Sequence, residues 1–185
     1  MASVTGISMP IKADGSVSGN QPRVQRPPEN AVQTFIGGTP VQLDTGNIEE
    51  WDGATIAAGI AGIAYEDASD LAVAGVAETA HFGSVPNEGA AVNIFRGAPL
   101  NDGHIGVEVA VQDTLFHAQV GAVAVPAGAL GAHYGLTKDT DGHWYVDTAK
   151  VTVGADTVLQ VVRLDENDPR GVWFVFEASA SQLLA

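Results

Sequence analysis

The chain has 185 residues and a net charge of −14, from 22 acidic and 8 basic side chains, with no cysteine. This length suits one domain, or one domain plus an appendage, large enough to bury a core without disulfides or metal. Lack of cysteine excludes thiol catalysis, cysteine-bound zinc and a disulfide framework, and it fits synthesis in a reducing cytosol. The acidity opposes contact with phosphate backbones and anionic membranes, so neither nucleic acid nor membrane is an expected partner. It favours solubility at high local concentration.

Residues 1–10 lack the basic start and apolar stretch of a secretion signal. No span is long and apolar enough to cross a bilayer; residues 114–137 carry no Asp, Glu, Lys or Arg but are interrupted by Gln119, Pro126 and two histidines.

Composition divides the chain near residue 30. Residues 1–30 are rich in Ser, Gly, Pro and Gln and carry +1, from Lys12, Arg23 and Arg26 against Asp14 and Glu29, which leaves −15 for residues 31–185. So little apolar bulk predicts an extended, flexible N-terminal arm. Within it Gln21, Pro22, Arg23, Val24, Gln25 and Arg26, followed by Pro27 and Pro28, favour a polyproline-like path. Such an arm is either a terminus without a role or a segment that orders on a partner, its arginines meeting carboxylates there.

Pro40, Val41, Gln42, Leu43, Asp44 and Thr45 open the body as a short strand with proline at its start, where a missing N–H costs least. Ile48 to Trp51 form a second short strand that turns at Asp52-Gly53. Ala57, Ala58, Gly59, Ile60, Ala61, Gly62, Ile63 and Ala64 predict a strand of small residues that lets another backbone pack close. Residues 66–75 are expected to form a helical turn or two, and residues 127–134 another after Pro126. Ile105, Val107, Val109 and Val111 alternate with Gly106, Glu108, Ala110 and Gln112, giving a strand with one buried and one largely wet face. Residues 157–164 and 172–177 read as central strands, and residues 90–95, 114–120 and 143–147 as further ones. Turns are expected at Pro86 to Gly89, Asn101-Asp102-Gly103, Asp141-Gly142 and Asp168 to Gly171. The fold class is therefore mainly β, a barrel or sandwich-like domain with few short helices.

The succession in residues 39–64 (apolar strand, Trp51-Asp52-Gly53 turn, small-residue apolar strand) resembles the head decoration, or capsid cement, proteins of lambda-type tailed bacteriophages. The resemblance implies a β-rich domain that stands on the outer surface of the virion. It implies binding to the major capsid protein, self-association as a homotrimer, and an N-terminal arm that grips the capsid lattice. A C-terminal extension from about residue 101 has no counterpart in that family.

No reactive centre is evident. Six of the eight serines lie in the terminal segments, and Ser84, three residues after His81, lacks a nucleophile elbow. His81, His104, His117, His133 and His143 show no metal-ligand spacing. Asp139, Asp141 and Gly142 faintly match a calcium loop, but Lys150 holds the position that requires glutamate, so residues 138–142 read as a hairpin tip. Glu49, Glu50 and Asp52, and Glu66, Asp67 and Asp70, read as solvated loop charge. No metal, cofactor or catalytic residue is expected. Trp144 and Trp173 are expected in the core; Trp51, flanked by acids, is expected half-exposed and is the candidate interface contact. The first expectation is a structural virion protein, made in the host cytoplasm, whose many weak lattice contacts sum to avidity. The alternative is a host-receptor or glycan-binding β module of a phage tail or fibre, for which exposed aromatics in a groove would speak.

Overall fold

The computed structural model describes residue 7 and residues 9–53, 59–69, 103–122, 124–152 and 155–182. Its strands are β1 (Lys12–Ser16), β2 (Val24–Gln25), β3 (Pro40–Asp44), β4 (Asn47–Glu50), β5 (Gly62–Ala64), β6 (Val107–Val109), β7 (Thr114–Gln119), β8 (His133–Lys138), β9 (Trp144–Asp147), β10 (Leu159–Leu164) and β11 (Gly171–Phe176). They build two antiparallel sheets, ordered β1-β7-β11-β10-β8-β9 and β2-β6-β5-β3-β4. No α-helix occurs among the described residues. The expected helix at 127–134 is a turn at Gly128 and Gly131, both at positive φ, that runs into β8. Residues 66–69 of the other expected helix are not helical, and its remainder lies outside the described residues, as do the strand at 90–95, the turn at Pro86 to Gly89, His81, Ser84 and Asp70.

The first sheet curls until its ends meet. Val120 bridges Val146, and the Gly121 N–H donates to the Val146 carbonyl at 3.1 Å. β7, β11, β10, β8 and β9 thereby close into a small barrel, which leaves few free edges. β1 lies along the first half of the β7 edge that β9 meets further on. Phe116, Phe174 and Phe176 fill the interior with ring centroids 5.1–5.7 Å apart.

The second sheet is buried on both faces. Ile63 joins Trp51, Ile60 and Ile11 in the barrel-side core, while Val41, Ile48, Ala64 and Val107 pack on the other side with Phe35 and Ile105. β5 is the close-packed part of the small-residue strand expected at 57–64, of which residues 57 and 58 lie outside the described residues: a Cβ on Gly62 would lie 2.5 Å from Val107 Cγ1 and nearer still to the Glu108 carbonyl. The β3–β4 hairpin turns on Thr45 and Gly46, at φ 48° and 92°, as a two-residue loop of this twist requires. The expected hairpin tip before Trp144 is present, with Asp139 Oδ1 accepting the N–H groups of Asp141 and His143 at 2.9 and 2.8 Å. The part beyond residue 103 supplies β6 to the second sheet and β7 to β11 to the barrel. At its end, the Gln182 amide pairs with both the N–H and the carbonyl of Leu43, at 2.7 and 2.8 Å.

Candidate functional site

The N-terminal segment is extended and lies against both sheets. β1 pairs with β7, and β2 pairs with β6 through Val24 opposite Glu108 and Gln25 opposite Val107. Ile11 is fully buried in the barrel-side core. A polar, weakly apolar segment holds this position because the body supplies carboxylates to its N–H groups. Glu108, 5% exposed, accepts the Ala13 N–H at 2.6 Å. Glu66, 1% exposed, accepts the Arg26 guanidinium at 2.6 Å and the Gly106 N–H at 2.7 Å. Glu29 of the segment is buried and accepts the Ser69 N–H at 2.8 Å. Asp113 accepts both the N–H and the hydroxyl of Ser18, and the hydroxyl foremost holds its carboxyl below the ordinary 3.8. A carboxylate removed from water is tolerated only where donors replace its hydration, and the buried Glu29, Glu66 and Glu108 each have such a donor across the junction of segment and body, whereas the Ser18–Asp113 contact is exposed.

Two sequence expectations are corrected here. Glu66, read as solvated loop charge, is a buried ion-pair partner. The face of β6 expected to be wet is covered, because Glu108 points towards Ala13 of the segment crossing it. Among the expected contact residues, Gln21, Arg23 and Val24 are exposed, Pro22 and Gln25 are half-buried, and Arg26 is committed to Glu66. β2 is an edge strand, and its outer side pairs with no strand among the described residues.

Trp51 is also corrected: it is 3% exposed and packs on Trp144 with ring centroids 5.4 Å apart. The neighbouring acids do not draw it into water, because Glu50 turns instead to Lys138 at 2.7 Å and to the Trp144 indole N–H at 3.1 Å. Trp173, expected in the core, stands half-buried on the outer face of β11. Its indole N–H donates to Asp14 of the segment at 2.8 Å, and the Arg163 guanidinium lies 3.8 Å above its ring. Beside it opens a cleft of about 240 Å³ lined by Arg163, Leu164, Asp165, Glu166, Asn167 and Trp173. At its edge, His117 Nε2 meets Asp165 Oδ2 at 3.0 Å. Asp165 is held below the ordinary carboxylate value chiefly by the Asn167 N–H, with His117 assisting. His117 Nδ1 has no hydrogen-bond partner among the described residues, so no hydroxyl completes a nucleophilic arrangement with this pair there. No three His, Asp or Glu side chains converge as metal ligands among the described residues.

Comparison of the chain with protein-family models, curated proteins and solved structures returned no match. The functional reading therefore rests on the resemblance carried by residues 39–64 and on the geometry of the N-terminal segment. Sequence reasoning located the segment of interest but not its fastening, since the spacing from Arg26 to Glu66 and from Ala13 to Glu108 is long and carries no local pattern.

Proposed function

We propose that the chain is a structural virion protein that binds the outer surface of a tailed-phage capsid and stabilises the shell by bridging capsomers. The observation that supports this reading is the exposed edge of β2. Its outer side pairs with no strand among the described residues; Val24 and the adjacent Arg23 are exposed there, and the Arg26–Glu66 pair anchors it from behind. An edge strand so displayed accepts an extended segment of a major capsid protein by strand addition, and Arg23 adds a cation for acidic side chains. The rest of the surface is acidic and repels packaged nucleic acid. In this reading the body associates as a homotrimer and lattice repetition supplies avidity.

The test uses Arg23→Glu with Val24→Asp, since deletion of residues 1–30 would also remove the buried Ile11 and Glu29. Co-sedimentation with purified capsids is expected to fall by about tenfold or more, as for removal of a central contact, with circular dichroism unchanged. Full retention on capsids refutes the reading.

A second reading, a host-receptor or glycan-binding module, is favoured by the Trp173 cleft, which sets an aromatic ring beside Arg163, Asp165 and Asn167. These residue types hold sugar hydroxyls and ring faces. A glycan array separates the two readings: a saccharide hit abolished by Arg163→Ala, with capsid binding absent, favours the second.

A further inference from the structure

One residue in the junction between the N-terminal segment and the body is conformationally out of place. Val32 has φ 57° and is 70% exposed. A β-branched side chain enters this left-handed region only when its surroundings impose it, and here no packing of the valine rewards it. The constraint comes from both sides. On one side, Asn30 is fixed by its N–H to the Ile48 carbonyl at 2.8 Å, and Glu29 by Ser69. On the other, Gln33 accepts the Glu50 N–H at 3.0 Å, and Phe35 is buried in the body. The chain must turn back within residues 31–34 for the segment to lie on its own body.

The segment itself is held by contacts that do not depend on which chain supplies it. β1 on β7, β2 on β6, Ala13 on Glu108, Arg26 on Glu66, Ser18 on Asp113 and Trp173 on Asp14 are all non-covalent and long-range in sequence. A segment from a second copy reproduces every one of them at the same spacing, which no unrelated strand does. Exchange therefore conserves the docking contacts and releases the strain at Val32. Strained short hinges with a conserved docking surface are the condition for strand exchange between identical chains.

We propose that residues 9–30 are exchanged between copies of this chain, residues 31–34 serving as the hinge, so that each body is completed by a neighbour's segment. The occupant of the β6 and β7 edges in the assembled protein is then a second copy, arranged reciprocally in a dimer or cyclically in a higher closed ring.

The absence of native cysteine allows a direct test. Ser16 lies opposite Thr114 across the β1–β7 ladder. Chains carrying only Ser16→Cys are mixed with chains carrying only Thr114→Cys, incubated concentrated, and oxidised. The expected result is a disulfide-linked heterodimer on a non-reducing gel. The double variant, Ser16→Cys with Thr114→Cys, shows that the bond closes in this geometry; it is expected to give covalent oligomers when concentrated and cross-linked monomers when dilute. Val32→Gly, which tolerates the positive φ, is expected to lower the heterodimer yield by about tenfold, the effect of one relieved backbone strain. Light scattering of the unsubstituted chain runs alongside. The proposal is overturned if the chain is monomeric at every concentration, or if the single-cysteine mixture stays unlinked while the double variant closes only within one chain. An unchanged yield with Val32→Gly overturns the hinge assignment.

Discussion

A carboxylate taken out of water needs donors, and Glu66 has two: the Arg26 guanidinium and the Gly106 N–H. Glu66→Gln keeps an acceptor for Gly106 but removes the charge that holds Arg26. Because the Arg26 side chain is 35% exposed, water takes over part of its solvation, so the loss is set at about 1–2 kcal/mol rather than the full value for a buried pair. Urea unfolding measures it, and Glu66→Ala is expected to cost more, since it also orphans the Gly106 N–H. Acid acts on two other carboxylates. Asp113 and Asp165 lie below the ordinary value of 3.8, the first held chiefly by the Ser18 hydroxyl and the second chiefly by the Asn167 N–H. Their folded values are depressed relative to the unfolded chain, so their contribution is complete above the ordinary carboxylate range. It is lost as pH falls through the depressed folded values, below about pH 4. Stability measured by urea from about pH 5 to pH 2 is expected to decline over that interval, and Asp165→Asn to flatten part of the decline.

Among the elements, β5 was the most legible. The glycines and alanines of residues 57–64 predict a strand against which a neighbouring backbone closes in, and Gly62 meets Val107 and Glu108 of β6 in this way. Gly62→Ala forces a methyl group against a ladder carbonyl that has no rotamer to adopt, and is expected to destabilise the protein by about 3 kcal/mol in thermal or urea unfolding. The hairpins at Gly142 and Gly171 were legible for a related reason, since turn chemistry is local. β6 was half legible. The alternation of Ile105, Val107 and Val109 identifies which residues share a face, but periodicity carries no information about what covers the other face, and Glu108 is covered. Trp51 and Trp173 exchanged their expected places because neighbouring charges do not report the packing of a ring. Trp51 has Trp144 to stack on in the core, whereas Trp173 points outward on β11 to Asp14 and Arg163.

At the scale of the whole molecule, one core joins the two sheets. Ile11, Trp51, Ile60 and Ile63 share it with the barrel residues Phe116, Leu136, Val146 and Phe174. Neither sheet can lose its packing without exposing the other, so unfolding is expected to be a single transition. Far-UV circular dichroism and tryptophan fluorescence should then give coincident urea curves; separated midpoints would show that the sheets open independently. The mainly β architecture, the hairpin positions and the small-residue strand were set by the sequence alone, because each rests on interactions between residues a few positions apart. The curling of the first sheet into a barrel, the buried carboxylates Glu66 and Glu108 and the docking of the N-terminal segment were decided only in three dimensions. Composition measures how much apolar surface a segment can bury, and by that measure residues 1–30 stay loose. It does not count hydrogen-bond donors and acceptors waiting on a folded body some 40 to 95 residues away, and those partners hold the described residues 9–30 in place.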